Sequence, residues 1–219
     1  MSFGPRWRTL GPLLICLLLA SIYLLYWPHA ELVLDDWFLF QKFEQARAKG
    51  AQAQWELAGV LARSQLWGTF RIHWLSLLFV FGLYQIAGPH PGFYFLLGIL
   101  LHVAVAFLLY RTLTRLKIDG RAAFLAGAAF VLLPTARHPL LWFPSCGQYV
   151  LAAFWLLVYL HSVAGTVAAG RLAPRAALWQ SVALAAALFS TDQAVGLALL
   201  SALWLAVCWR SRAALTAAL

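Results

Sequence analysis

Seven runs of apolar residues divide the chain, over residues 9–27, 72–88, 93–110, 122–136, 148–165, 174–190 and 193–209. They are continuous rather than alternating, which predicts helices apolar on every face and not half-buried strands. Most sit near the lower limit of about 17 residues for crossing a bilayer. A different pattern fills residues 37–67. There Phe40, Phe43, Trp55 and Trp67 recur at helical spacing among Lys42, Glu44, Arg47, Lys49 and Glu56. That periodicity predicts a pair of amphipathic helices lying on a membrane surface.

Composition changes the class and not just the detail. The 219 residues are 63% hydrophobic and 11% charged, with a mean hydropathy of +0.80. Soluble domains carry roughly 25% charged residues. The fold class that follows is all-α, a polytopic helical membrane protein forming one transmembrane module over residues 1–219. The net charge of +9 then belongs to membrane orientation and not to a nucleic-acid partner.

Charge placement also sets the topology. Arg6 and Arg8 precede the first run, and Tyr23, Tyr26, Trp27 and Pro28 close it, as in a span with its N-terminus inside. The run is longer than a signal-peptide core and lacks a small-residue cleavage site. If 72–88 stays on the outer side, ten of the sixteen basic residues are cytoplasmic. If it crosses, only Arg6, Arg8 and Arg137 are. The positive-inside rule selects the first arrangement. It gives about six transmembrane helices with both termini cytoplasmic. Residues 28–91 form a large outer loop, and 72–88 is a juxtamembrane or partly inserted helix ending at the break Gly88-Pro89-His90-Pro91-Gly92.

The chain has seven acidic residues, and two of them, Asp35 and Asp36, stand side by side after the first span. Adjacent carboxylates raise each other's cost of ionisation, and membrane proteins keep such groups chiefly for function. In this topology other polar residues converge on the same outer side: Arg71, His73, Arg137, His138, Gln148 and Asp192. Arg71, Arg137 and His138 suit a phosphate head group. A carboxylate there can act as a base on an acceptor or hold a divalent metal. The bland readings stand beside these. Arginines at a membrane face anchor head groups, Asp192 can cap a helix, and His102 and His161 are packing residues rather than ligands. Cys16, Cys146 and Cys208 form no pair motif, and the six histidines show no ligand spacing.

Several short motifs follow one another in order: Phe70-Arg71, Gly88-Pro89-His90-Pro91-Gly92, Leu101-His102, Tyr110-Arg111-Thr112-Leu113, and His138-Pro139 with Trp142. Together with the acidic pair, this order over residues 10–200 resembles GT-C-fold glycosyltransferases that use polyprenyl-phosphate sugars, the O-mannosyltransferase-like members above all. The resemblance implies transfer of a sugar from a lipid-phosphate donor to an acceptor outside the cytoplasm, with inversion. It implies Asp35 as the base and Asp36 as its orienter or as the N-cap of the next helix. Three positions depart from the family pattern. Ile72 follows Arg71 where the family has Pro, the Trp142–Gln148 stretch lacks an Arg, and Thr191-Asp192-Gln193 lacks a Lys. The loss of two cations and the short chain suit an alternative, a non-catalytic GT-C-like accessory subunit whose partners are other membrane subunits. On that expectation the chain is the N-terminal part of a longer enzyme or a module of a larger complex.

Overall fold

The computed structural model describes residues 7–29, 34–62, 74–132, 143–169, 173–191, 194–196 and 199. Among these, every regular element is a helix, so the all-α class holds. The elements are α1 (Trp7–Ala20), which tightens into a 3-10 helix over Ser21–His29, α2 (Leu34–Ala48), α3 (Ala51–Ala62), α4 (Trp74–Ala87), α5 (Pro91–Arg115), α6 (Gly120–Leu132), α7 (Phe143–Ala169) and α8 (Pro174–Ser190).

A row of helices makes the body. α8 packs on α7, α7 on α5, α5 on α6, and α1 covers α5 and α6. α5 and α7 run parallel: Tyr94 and Phe143 share a cluster at their starts, and Thr112 lies 3.5 Å from His161 near their ends. α6 and α8 run the other way. Gly127 on α6 lies against Ala106 on α5, and Gln180 on α8 reaches Ser162 and Thr166 on α7. Small residues allow the close approach. Ala183 and Ala187 face Ala152, Leu156, Tyr159 and Val163 across the α7–α8 seam.

Pro91 opens α5, where a missing N–H costs nothing. Gly88, with φ +61°, makes the turn into it, and the Tyr94 hydroxyl donates to the Gly88 carbonyl at 2.8 Å. At the other end, α5 closes through Lys117, whose φ of 62° is left-handed. Asp119 then caps α6, its Oδ2 accepting the backbone N–H groups of Arg121 and Ala122 at 2.9 and 3.2 Å.

The end of the body where α5 and α7 begin is here the upper end. α2, α3 and α4 pack there. Gly50, with φ +94°, joins α2 to α3. α4 is 14 residues long, about 21 Å at 1.5 Å per residue. Trp74 meets the ring of Phe189 near the middle of the body, and the other end of α4 leads into α5.

The spans differ in length from the apolar runs. Pro91–Arg115 and Gly147–Ala169 are long and apolar enough to cross a membrane, whereas Gly11–Leu25 and Gly120–Leu132 are shorter. The described part of α6 runs to Leu132, and the rest of its apolar run, to 136, lies outside the described residues. α7 covers Phe143–Ala169, so Gln148 lies within the helix. The apolar run 193–209 lies almost wholly outside the described residues. The flanks of the body are apolar too: Leu18 and Leu25 of the first helix, Leu100 of α5, Leu125 of α6, and Leu178 and Trp179 of α8 are exposed. Helices apolar on inner and outer faces alike are the kind that a bilayer surrounds.

Candidate functional site

α2 begins at Leu34, so Asp35 and Asp36 both lie in its first turn. Carboxylates there complement the positive end of the helix dipole. This corrects the N-cap expectation for Asp36, which sits inside the helix and not at its boundary. Helical geometry then separates the pair. Asp36 shares a face with Leu39, Phe40 and Phe43, at the i+3, i+4 and i+7 positions. That face is buried against α4 and the start of α7, and Asp36 itself is 0% exposed. Asp35, one position earlier, is exposed. Asp36 is engaged rather than free, and no buried side-chain nitrogen or oxygen among the described residues lacks a hydrogen-bond partner. Two neighbouring carboxylates thus occupy opposite environments, as their mutual repulsion favours.

Below the pair, rings fill the α2–α4 contact. Phe40 lies 4.9 Å from Tyr84 and 5.1 Å from Tyr94, and Phe43 lies 5.0 Å from Phe81. At the edge of this packing the Tyr84 hydroxyl donates to Glu44 Oε2 at 2.8 Å. Burial, with help from the neighbouring Glu44 carboxylate, pushes the Tyr84 phenol up to about 12. Tyr84 therefore stays a donor at any physiological pH. Around this pair opens a groove of about 790 Å³, walled by Trp37, Phe38, Phe40, Tyr84 and Pro89 and lined by Gln41, Glu44 and Arg47. Lys42 stands at its rim, its ammonium 5.3 Å from the Phe38 ring centre.

The sequence pattern did not single out the groove. Glu44 and Arg47 register along the chain only as solvated charges of an amphipathic helix, and Tyr84 lies 40 residues away in an apolar run. The usable signal was the tyrosine itself, an aromatic with a polar tip in a largely apolar segment.

Of the other candidates, Gln148 is half-buried in α7, in its second turn rather than at its start. Arg71, His73, Arg137, His138 and Asp192 lie outside the described residues. Among the described residues, no group of three or more His, Cys, Asp or Glu side chains is placed to hold a metal ion. His102 and His161 behave as packing residues. His102 Nε2 donates to the Val131 carbonyl at 3.3 Å and its ring lies 4.6 Å from that of Phe130. His161 Nδ1 lies 3.5 Å from Thr112 Oγ1, and its carbonyl accepts from Arg115 at 3.3 Å. Cys16 is buried, as a small apolar residue would be.

Comparison with protein-family models, with curated proteins and with solved structures finds no match to this chain.

Proposed function

We propose that the chain is a multi-pass membrane module of the GT-C type that transfers a sugar from a polyprenyl-phosphate donor to an acceptor outside the cytoplasm. The observation that carries this reading is the sorting of the acidic pair. Asp35 is exposed at the upper end of the bundle, while Asp36 is buried and engaged beside it. In the reaction, the Asp35 carboxylate takes the proton of an acceptor hydroxyl or amide. The freed electron pair attacks the anomeric carbon from the face opposite the phosphate. The bond from that carbon to the phosphate oxygen breaks, and polyprenyl phosphate leaves with the bonding electrons. Asp36 fixes the first turn of α2 and so aims Asp35. Arg71, Arg137 and His138 are assigned to the donor phosphate by their charge and by the family resemblance.

A six-span topology, as the charge pattern of the sequence suggests, fits the same reading. α5 and α7, the two helices long and apolar enough to cross a membrane, run side by side from the upper end to the lower. Among the described residues, five basic side chains, Arg111, Arg115, Lys117, Arg121 and Arg175, lie at the lower end, against three, Lys42, Arg47 and Lys49, on α2 at the upper. By the positive-inside rule the lower end is cytoplasmic. On this reading the six spans are the apolar runs 9–27, 93–110, 122–136, 148–165, 174–190 and 193–209.

The test uses membranes containing the full chain and a polyprenyl phosphate carrying a labelled hexose. Asp35→Asn lowers label transfer to membrane acceptors by about a hundred- to ten-thousand-fold and leaves abundance unchanged. Asp36→Asn lowers abundance as well. Transfer by Asp35→Asn at the parent rate ends the role of Asp35. No transfer by the parent chain, with co-purification of other membrane proteins, replaces the transferase by the accessory-subunit reading, which the two missing cations already favour.

A further inference from the structure

The groove between α2 and α4 is not part of the acidic-pair site. At about 100° per residue, its polar lining, Gln41, Glu44 and Arg47, lies about 120–180° around α2 from Asp35, and only Phe38 of its aromatic wall approaches that side. It is a separate concave site, and its chemistry is uneven in a telling way.

One wall is apolar and aromatic, from Trp37, Phe38, Phe40 and Pro89. The polar lining holds one carboxylate and one guanidinium, Glu44 and Arg47, three positions apart on one helix. Side chains at that spacing are about 5–6 Å apart at Cβ. These two charges cancel within the lining, and the Lys42 ammonium lies 5.3 Å from the Phe38 ring beside it, so the groove offers partners for both signs of a zwitterion. Glu44 is oriented by the Tyr84 hydroxyl, which ties its Oε2 to the α4 wall. Pro89 and Tyr84 place the groove where α5 begins. On the membrane reading, this is the depth at which lipid head groups lie.

We propose that this groove binds the phosphoethanolamine head group of a zwitterionic phospholipid. Its ammonium pairs with Glu44 and its phosphate with Arg47, whose planar fork matches phosphate oxygens. Gln41 supplies an amide to the remaining phosphate or ester oxygens. Trp37 and Phe38, exposed at the mouth, lie along the glycerol and the first acyl carbons. A head group held there wedges α2 against α4 and so steadies the helix that carries Asp35. The inference rests on the membrane reading and not on sugar transfer.

Lipid retention is the measurement. The purified full chain is incubated in detergent with phosphatidylethanolamine or phosphatidylglycerol, and bound lipid is read by native mass spectrometry. Phosphatidylethanolamine should be retained at least tenfold better than phosphatidylglycerol. Glu44→Gln should abolish that preference while leaving phosphatidylglycerol retention unchanged or higher. Arg47→Gln should reduce retention of both lipids. Equal retention of the two lipids by the parent chain, or an unchanged preference in Glu44→Gln, overturns the proposal. If Glu44→Gln fails to fold, Arg47→Gln decides alone, since phosphatidylethanolamine retention at the parent level in that variant is equally fatal. Because no donor sugar is present, sugar transfer can fail while lipid retention succeeds, and the reverse.

Discussion

Tyr23 and His102 meet on one acceptor, the backbone carbonyl of Val131. The Tyr23 hydroxyl donates to it at 2.6 Å and His102 Nε2 at 3.3 Å, and the two rings stand edge to face with centroids 6.1 Å apart. Val131 lies at the end of the described part of α6. It lies opposite His102, near the middle of α5. A carbonyl exposed to hydrocarbon costs several kcal/mol. Two side chains from two other helices remove that cost and tie α1, α5 and α6 together.

Because both donors share one acceptor, their substitutions should not add. Tyr23→Phe leaves the Val131 carbonyl with His102, and His102→Leu leaves it with Tyr23. Each single change is expected to cost about 1 kcal/mol. The double variant should exceed the sum by about 0.5 kcal/mol or more, since the carbonyl is then bare. Unfolding in a mixed detergent series measures all four proteins. Strict additivity would mean that water or another donor already serves that carbonyl.

Two glycines separate rigid from adaptable close packing. A Cβ on Gly127 would meet the Ala106 carbonyl oxygen at 3.1 Å and the Tyr110 Cβ at 3.6 Å. Backbone cannot step aside, so α5 and α6 must part, and Gly127→Ala should cost about 1–3 kcal/mol. A Cβ on Gly165 would instead meet the guanidinium of Arg115, which is the far end of a flexible and exposed side chain. Gly165→Ala should lose only the Arg115 bond to the His161 carbonyl, below about 1 kcal/mol. Thermal unfolding of the two variants in one detergent compares them. Equal losses would show that Arg115 is as fixed as backbone.

These contacts explain what could be read in the chain and what could not. The run Gly88-Pro89-His90-Pro91-Gly92 announces the break before α5 because each residue acts locally, through φ or a missing N–H. Asp35 and Asp36 stand out because adjacent carboxylates are rare in so apolar a sequence. Their opposite environments follow from where α2 starts, and helix starts are the least readable boundaries in a sequence. Tyr23 and Val131 are 108 residues apart, and Tyr84 and Glu44 are 40 apart. No local pattern specifies such pairs, because their meeting is decided by the packing of whole helices.

The Tyr84–Glu44 contact gives a pH dependence with a definite sign. The folded state raises the Tyr84 phenol from 10.0 to about 12, so folding favours its protonated form. The resulting stability is fully present below pH 10, the value for the unfolded chain. It is lost as the pH rises from 10 through about 12. Tyr84→Phe has no proton to lose, so its stability should be flat over that interval where the parent's falls. Denaturant midpoints across that range check the claim. Parallel curves for the two proteins would remove Tyr84 as the source.

The last expectation concerns which end of the bundle faces which side. Trp55 on α3 is 79% exposed at the upper end, and Lys117 is exposed in the turn between α5 and α6 at the lower end. α5 alone separates the two levels, and its 25 residues reach about 37 Å, more than the hydrocarbon thickness of about 30 Å. With Cys16, Cys146 and Cys208 replaced by alanine, single cysteines at these positions report the sidedness. Trp55→Cys should react with a membrane-impermeant maleimide on intact cells, and Lys117→Cys only after permeabilisation. The opposite result would invert the topology and carry Asp35 to the cytoplasmic side, where it could not serve an external acceptor. Reaction of both from the same side would mean that α5 does not cross the bilayer, and the membrane reading of the bundle would fall with it. The positive-inside rule favours the first outcome because Arg111, Arg115, Lys117 and Arg121 crowd around one turn with a single acid, Asp119, and that acid is already engaged in capping α6.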